Sequence, residues 1–317
     1  MAPPDSPRIA VTGAGGFVGS ALCTALEREG RSVCRLVRRL RHPGDQVVGQ
    51  IGPSTDWRLL EGMDVVIHAA ARVHVMTETA ADPTAAFAEV NVLGTRQLAI
   101  QAAAMGVRRL VFLSSVKVHG EKSPPGQPFA VGQMPAPQDA YGRSKWEAEQ
   151  ALWEVAAGTG LEVVVIRPPL VHGPGMKGNL ARLMGWIRRG IPLPLASVDN
   201  RRSLVGLDNL VDLLSLCAVH PAAAGETFLV SDGVDLSTPD LVRHLAAALG
   251  RQPRLFPLPP RWLFRAGRWL GREPAVARLC GCLQVDAHPV RQRLGWQPPV
   301  SLPEGLRRAV GGAAGVL

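Results

Sequence analysis

Apolar positions along the first half of the chain follow two alternating periods. Residues 8–13 and 63–71 are short runs of continuous apolar character, which is typical of strands buried on both faces. Between such runs, residues 17–30 and 84–106 carry apolar side chains three and four positions apart, the spacing of one helix face. Because strand and helix alternate, the pattern predicts a doubly wound α/β fold, a parallel sheet with helices on both sides.

The alternation continues as far as Pro169 and then loosens. The further elements predicted before that point are strands at 32–39, 47–51, 107–115 and 161–169 and a helix at 139–158. Beyond it, prolines and glycines cluster, and residues 227–233 are the remaining strand candidate.

Two units are expected from this change in pattern. The first is a domain over residues 1–172, and the second is a smaller, mostly helical lobe over residues 173–317. Residues 203–233 are expected to return from the lobe to the core of the first domain.

Composition is that of an ordinary globular protein, with 46% apolar and 19% charged residues. No stretch of about 20 apolar residues is present, so no membrane-spanning helix is expected. The first residues lack the basic and apolar regions of a secretory signal, and a cytoplasmic location is expected.

Cysteine usage argues against disulfides and against a metal site. The five cysteines are Cys23, Cys34, Cys217, Cys280 and Cys282. An odd and scattered set does not form a disulfide framework, and the spacing of the last two is not that of a zinc site. We expect reduced thiols and no bound metal.

A net charge of +9 raises the question of an anionic partner. The 31 arginines and 4 lysines are spread along the chain, and aromatic residues that stack on bases do not interleave with them. We therefore expect no nucleic-acid partner. Anionic substrates and a negatively charged membrane surface remain candidates.

A glycine-rich turn joins the first predicted strand to the first helix. Gly13, Gly16 and Gly19 have the spacing G-x-x-G-x-x-G, which differs from the common fingerprint G-x-G-x-x-G. The glycines of both motifs have the same physical roles. The first glycine permits a tight turn, the second lets a pyrophosphate approach the backbone, and the third lets helix and strand pack closely. The sequence therefore predicts dinucleotide binding.

The end of the second strand distinguishes one dinucleotide from the other. An acidic residue there accepts the ribose 2′-OH of NAD, whereas an arginine pairs with the 2′-phosphate of NADP. This chain has Arg38 and Arg39 at that point. NADP is the expected cofactor, with NAD as the alternative. If neither arginine binds the cofactor, both are ordinary solvated surface residues.

Tyr141, which is the sole tyrosine of the chain, is followed four residues later by Lys145. On a helix both side chains point to one side. A nearby ammonium stabilises a phenolate and lowers the pKa of the phenol, so the pair can exchange a proton with an alcohol oxygen while hydride moves at the adjoining carbon. Ser114 and Ser115 end a predicted strand at the edge where such a site forms.

Together these motifs resemble the extended short-chain dehydrogenase/reductases, which act largely on nucleotide sugars. The resemblance rests on TGxxGxxG, "NVLGT" at 91–95, "LSSVKVHG" at 113–120, YxxxK and "IRPPLVHGPG" at 166–175. It implies that Tyr141 is the acid–base residue, that Lys145 binds the nicotinamide ribose, and that Ser115 is the catalytic serine.

The resemblance also implies a set of cofactor contacts. Besides the catalytic tyrosine and lysine, these are Gly13, Gly16, Phe17, Val18, Gly19, Arg38, Gln50, Ile51, Ala69, Ala70, Ala71, Asn91 and Pro168. Three positions depart from the family pattern. His119 and His172 stand where tyrosine is frequent, and Gln50 stands where an aspartate usually lies near adenine.

The second half of the chain resembles segments that bind a nucleoside diphosphate sugar. The implied substrate contacts are Ser115, Lys117, Tyr141, Asn179 and Arg202, and the guanidinium suits a diphosphate because it gives two parallel hydrogen bonds. The resemblance further implies a UDP-sugar substrate and a homodimer. Residues 259–271 are basic with bulky apolar residues, so they either cover the substrate lobe or contact a membrane surface peripherally.

The finer details, including "AARVHVM" at 70–76, resemble a subgroup from bacterial surface-polysaccharide pathways. Its members include 4-reductases of UDP-4-keto-6-deoxy-N-acetylhexosamines and UDP-glucose 4-epimerases. We expect a 4-keto reductase that uses NADPH, with a UDP-hexose 4-epimerase holding NAD as the alternative. A 4,6-dehydratase is disfavoured because Val116 and Lys117 stand where an acid and a base are needed. A cofactor sensor without catalysis is the alternative from another class.

Overall fold

The structure is a computed structural model that describes residues 6–73 and 82–311. The strands within this part of the chain are β1 (Ile9–Thr12), β2 (Val33–Val37), β3 (Asp45–Val47), β4 (Val65–His68), β5 (Arg109–Leu113), β6 (Glu162–Arg167), β7 (Leu170–His172), β8 (Leu204–Gly206) and β9 (Thr227–Leu229). The helices are α1 (Phe17–Arg28), α2 (Pro83–Phe87), α3 (Gly94–Ala104), α4 (Ala140–Thr159), α5 (Asn179–Arg188), α6 (Leu207–Val219), α7 (Thr238–Ala248), α8 (Pro260–Trp269), α9 (Glu273–Cys280), α10 (His288–Leu294) and α11 (Leu302–Gly311). Residues 74–76 of "AARVHVM", and residues 1–5 at the start of the chain, lie outside the described residues.

A seven-stranded parallel sheet has the order β3-β2-β1-β4-β5-β6-β9. The chain runs outward from β1 to β3 and then returns to the other side of β1, so the direction of winding reverses between β1 and β4. Thr12 and His68 are paired at the carboxyl ends of these two strands. A crevice at this point of an open parallel sheet is where such folds bind ligands.

Side chains of the buried strands alternate between two cores. Val11 and Ile67 point to a core that α1, α6 and α10 complete, whereas Ala10 and Val66 point to one that α3 and α4 complete. Each strand is therefore apolar on both faces, which is why it appears in the sequence as an unbroken apolar run. The predicted doubly wound α/β fold is confirmed.

The second half of the chain contributes to both units. Helices α5, α7 and α11 share a third core, and β7 pairs with β8 in a separate two-stranded sheet. Strand β9 instead joins the edge of the main sheet beside β6, and α6 packs on the same face as α1. The division at residue 172 stays a prediction.

Two predicted elements differ in detail. Residues 84–106 form α2 and α3 with a π turn between them, Ala88–Leu93, in place of one uninterrupted helix. The third strand lies at Asp45–Val47 rather than at 47–51, because Gly49, with a φ of 71°, takes the backbone out of the extended conformation.

Among the described residues, no helix is long and apolar enough to cross a membrane. In the same part of the chain, no group of three or more histidine, cysteine, aspartate or glutamate side chains has the arrangement of a metal site.

Candidate active site

The glycine turn leaves bare backbone at the crevice. Gly13 has a φ of 69°, and a Cβ there would lie 2.8 Å from the backbone of Ala70. A Cβ on Gly19 would lie 2.2 Å from the carbonyl oxygen of Gly13. Helix α1 begins at Phe17 without a side-chain cap, so the N–H groups of its first turn stay available for an anion.

Beneath this turn lies a buried polar chain that the sequence reasoning missed. His68 Nδ1 is 2.6 Å from Thr12 Oγ1, and its Nε2 is 3.0 Å from Thr95 Oγ1. The Ala70 N–H donates to Thr12 Oγ1 at 3.2 Å, which ties the small-residue turn at Ala69–Ala71 to β1. Burial, with repulsion from Lys145, lowers the pKa of His68 to about 3, so the ring is neutral. The position of His68 within the apolar run at residues 63–71 could have indicated this buried polar chain.

The arginine that reaches the glycine turn is Arg41. Its Nη1 donates to the carbonyl oxygen of Gly15 at 2.8 Å, and its Nε would lie 3.1 Å from a Cβ on that glycine. The Asp45 carboxylate accepts from the main-chain N–H groups of Arg41 and His42 and so fixes this loop. Arg38 is exposed and makes no ion pair with another of the described residues.

The remaining predicted cofactor contacts lie around the same crevice. Ile51 is buried, and its Cγ2 would lie 2.6 Å from a Cβ on Gly94, whereas Gln50 is exposed. Pro168 is buried, and its carbonyl oxygen accepts from the Val116 N–H at 2.9 Å. Phe17 and Val18 are partly buried in the first turn of α1.

Asn91 ties together three segments of the site. It lies in the π turn and is almost fully buried. Its Oδ1 accepts from the Arg72 N–H at 2.8 Å, and its Nδ2 donates to the Arg72 carbonyl and to Ser144 Oγ, each at 2.9 Å. Ser144 Oγ in turn donates to the carbonyl oxygen of Tyr141. The amide therefore fixes the first turn of α4 relative to the segment after β4.

Helix α4 presents Tyr141 and Lys145 on consecutive turns. Asp139 caps the helix by accepting from the Gly142 N–H at 2.6 Å. Tyr141 and Ser115 both line one cavity, with the Ser115 hydroxyl close enough to the phenol to lower its pKa. The Lys145 ammonium is buried and lies 4.0 Å from the centre of the Phe112 ring.

The expectation that Lys145 lowers the pKa of Tyr141 is wrong for the protein on its own. Burial and, to a smaller extent, the charge of Asp139 raise the pKa of Tyr141 to about 12, against an opposing contribution from the Ser115 hydroxyl. Burial also lowers the pKa of Lys145 to about 7, although Glu149 attracts the ammonium. The phenol is therefore protonated at neutral pH.

Ser114 points away from the cavity, into a buried ion pair. Its hydroxyl donates to Glu149, which has no exposed surface, and Arg167 Nε donates to both oxygens of the same carboxylate at 3.1 and 3.2 Å. Arg167 Nη1 donates to His119 Nε2 at 2.9 Å. Burial and the Arg167 charge lower the pKa of His119 to about 4, so this ring is a neutral acceptor.

His172, the second departure from the family pattern, is also part of a buried pair. Its Nε2 lies 3.0 Å from Asp232 Oδ2, and neither side chain is exposed. Neither His119 nor His172 lines the cavity that contains Tyr141.

That cavity has a volume of about 350 Å³ and lies between the sheet and the second lobe. The predicted substrate contacts Ser115, Lys117, Tyr141, Asn179 and Arg202 all line it. Most of its wall is apolar, and the apolar residues are Val116, Pro169, Leu170, Val171, Leu180, Leu183, Trp186, Leu241, Ala275, Leu279 and Leu283.

Charged groups in the cavity wall are already partly paired. Lys117 Nζ lies 2.7 Å from Glu121 and 2.5 Å from Asp139, so two carboxylates match its charge. Arg202 Nη1 donates to the carbonyl oxygens of Arg278 at 2.7 Å and Gly281 at 3.0 Å, which ties it to the end of α9. The sequence reasoning missed the other polar wall residues, Glu121, Arg182, Thr238 and Arg278, because they lie outside its motifs.

Comparison with known proteins agrees with this architecture. Residues 9–231 match the model of the NAD dependent epimerase/dehydratase family. A UDP-glucose 4-epimerase of Vibrio cholerae is 45% identical over 307 residues, which cover 95% of this chain and 93% of that protein. A 2-alkyl-3-oxoalkanoate reductase of Stenotrophomonas maltophilia (strain K279a) is 30% identical over 95% of this chain and 98% of that protein.

Among solved structures, MoeE5 in complex with UDP-glucuronic acid and NAD superposes with a TM-score of 0.77. The two sequences are 25% identical, and the superposed region covers 98% of this chain and 100% of the MoeE5 chain. The predicted resemblance to the extended short-chain dehydrogenase/reductases is thereby confirmed. This chain belongs to the NAD dependent epimerase/dehydratase family.

Proposed function

We propose that the protein is a C4 epimerase of a UDP-linked hexose that holds NAD as its resident cofactor. The observation that carries the proposal is the placement of Ser115 and Tyr141 together in the wall of a largely apolar cavity, next to a bare glycine turn. The relative that is 45% identical over nearly the whole chain supports the same reaction.

The residues of the crevice fit a dinucleotide. A Cβ at Gly13 or Gly19 would fill the turn, and the uncapped first turn of α1 offers N–H groups to a pyrophosphate. Asn91 and Pro168 would flank the nicotinamide half, and Lys145 would bind its ribose. When bound, the cofactor accepts hydride from C4, returns it, and brings a positive charge in its oxidised form.

Tyr141 would move the proton that accompanies each hydride transfer. During oxidation the O4–H proton passes to the phenolate oxygen while the C4–H bond gives up hydride, and the product is a 4-ketone. During reduction the phenol returns the proton to O4. Ser115, which lines the same cavity as the phenol, would hold O4 in place. Because the pKa of Tyr141 is about 12 in the protein alone, cationic neighbours must lower it before the residue acts as a base.

The apolar wall favours epimerisation over simple reduction. An epimerase must let the 4-ketone present its other face before hydride returns, so directional hydrogen bonds to the sugar would oppose the reaction. Leu170, Leu180, Leu183 and Trp186 line the cavity without directional bonds. The arginines of the wall, Arg182, Arg202 and Arg278, supply charge for the diphosphate instead.

NAD replaces NADP as the proposed cofactor because Arg41, the arginine that reaches the glycine turn, is already bonded to the carbonyl oxygen of Gly15. MoeE5, the solved relative, also has NAD bound. A homodimer and a cytoplasmic location remain parts of the proposal that rest on the family resemblance alone.

The test begins with the nucleotide that purified protein releases on denaturation. We expect NAD, together with conversion of UDP-glucose to UDP-galactose without added cofactor. Tyr141→Phe should lower kcat by about 10²–10⁴-fold and retain the nucleotide. Consumption of NADPH with a UDP-4-keto-6-deoxy-N-acetylhexosamine, without epimerisation, would establish the reductase instead. Bound nucleotide with no turnover of either substrate would establish the sensor.

A further inference from the structure

Helix α8 buries very little of its own surface. Of its ten residues only Gly267 is buried, whereas Trp262 is 48% exposed and Trp269 is 87% exposed. These tryptophans are seven residues apart and so lie on one face, two turns from each other. Leu270, directly after the helix, is 60% exposed. Large apolar side chains that a fold leaves in water together indicate an interaction surface.

Positive charge flanks the exposed tryptophans. Residues 260–282 contain five arginines (Arg261, Arg265, Arg268, Arg272 and Arg278) and one glutamate (Glu273), a net charge of +4 out of +9 for the whole chain. The Arg265 guanidinium lies 5.3 Å from the centre of the Trp262 ring. Neither Arg261 nor Arg265 forms an ion pair with another residue of the described part of the chain.

The helix is held rigidly by its neighbour. A Cβ on Gly267 would lie 2.7 Å from Val276 of α9, and the Arg272 N–H donates to the Gly267 carbonyl at 2.6 Å. Tight packing of α8 on α9 therefore fixes one side of α8 and keeps Trp262 and Trp269 on the other. Their exposure follows from the fold.

We propose that α8 docks lengthwise on an anionic phospholipid bilayer. Trp262, Trp269 and Leu270 lie at the boundary between headgroups and acyl chains, where amphipathic aromatic rings are most stable. Arg261 and Arg265 contact the lipid phosphates, and the remaining arginines add to the attraction. Exposed aromatic residues beside several arginines fit a negatively charged membrane surface, which supplies both apolar chains and phosphates. A protein partner would need carboxylates placed opposite each arginine.

Docking also sets the orientation of the substrate cavity. A second groove of about 450 Å³ lies at the junction of α8 and α9, and its lining includes Arg182, Arg272 and Arg278. Arg182 and Arg278 line the substrate cavity as well. The arginine end of the substrate cavity therefore adjoins the groove between α8 and α9, beside the helix that docks.

Vesicle flotation with the full chain tests the docking. We expect the protein to float with vesicles of phosphatidylglycerol and phosphatidylcholine, to stay unbound with phosphatidylcholine alone, and to be released by high salt. Trp262→Ala with Trp269→Ala, and separately Arg261→Gln with Arg265→Gln, should each lower binding at least about tenfold. Vesicles that carry brominated lipid should quench tryptophan fluorescence of the unaltered protein.

Control variants remove one large apolar side chain and one arginine side chain elsewhere on the surface. Met134→Ala and Arg58→Gln alter an exposed apolar and an exposed charged residue outside α8, and both should float normally. Turnover of a soluble UDP-hexose should be unchanged in all four variants, so loss of docking and failure of the proposed reaction are separate results. Equal flotation of the tryptophan variant, or no flotation of the unaltered protein, would overturn the proposal. So would a dimer that the tryptophan variant abolishes, because a second copy would then cover this face.

Discussion

Replacement of Glu149 by glutamine tests the buried ion pair beneath the catalytic helix. In the protein, the Glu149 carboxylate accepts from Ser114 and from Arg167 through both Nε and Nη2, and both ionised side chains are almost fully buried. Glutamine keeps the shape and one acceptor oxygen. Its NH₂ group, however, faces the N–H donors of Arg167, and the guanidinium charge loses its counterion.

Loss of one partner of a buried pair costs about 3–5 kcal/mol, because the other charge is left without compensation. For a protein of this size we expect the midpoint of thermal unfolding to fall by roughly 10 °C, at about 2–4 °C for each kcal/mol. Glu273→Gln is the matched control, because it breaks the exposed pair with Arg268, and such pairs contribute about 0–1 kcal/mol.

The same replacement acts on Lys145. Glu149 is the group that raises the pKa of the buried Lys145 ammonium, so its neutralisation should lower that pKa further below about 7. Urea titration should report the loss of stability. In the pH profile of kcat/KM, the apparent pKa of the acidic limb should shift to lower pH in Glu149→Gln and stay unchanged in Glu273→Gln. A free energy of unfolding that matches the Glu273→Gln control would refute the reasoning about the buried charge.

Three further predictions concern the glycine turn and two buried titrating groups. Gly19→Ala should abolish retention of the nucleotide, because its Cβ would lie 2.2 Å from the Gly13 carbonyl oxygen; unchanged nucleotide content after gel filtration would contradict this. The folded-state pKa of Lys145, about 7, lies below the ordinary value of 10.5, so the unfolded chain binds the extra proton between these values. The free energy of unfolding of the nucleotide-free protein should therefore rise from pH 7 to pH 10, by about 3–4 kcal/mol, and Lys145→Met should remove that rise in urea titrations. For His119 the folded-state pKa is about 4 against 6.5, so stability should fall as pH drops from 6.5 to 4; His119→Gln, which keeps an acceptor for Arg167, should lessen that fall, and an unaltered acid limb would refute the assignment.

The sheet and the main residues of the candidate site were predictable because each has a local pattern in the sequence. Strands buried on both faces are apolar without interruption, and the glycine turn has a fixed spacing between strand and helix. Tyr141 and Lys145 share one helix face by their separation of four residues. Glu149 follows Lys145 by a further four residues, so the sequence could also have predicted this partner of the lysine.

Other features depend on tertiary contacts that no local pattern encodes. Arg41 reaches the glycine turn because Asp45 folds the loop after β2, and loop geometry does not follow from periodicity. The pKa of Tyr141 depends on how deeply the fold buries it, which the separation from Lys145 does not reveal. The sequence therefore predicted which groups form the site but not their protonation states.

The π turn at Ala88–Leu93 makes the length of this segment a condition of the fold. One added residue turns a helix face by about 100°, so the turn lets two incompatible orientations coexist in a single segment. Asn91 faces Ser144, while Leu98 and Ala102 on the following helix face the sheet. Deletion of one residue here would restore regular winding, and either the amide or the apolar face would then point the wrong way. Natural variants of this chain should therefore tolerate replacements at several of these positions more readily than any change in their number.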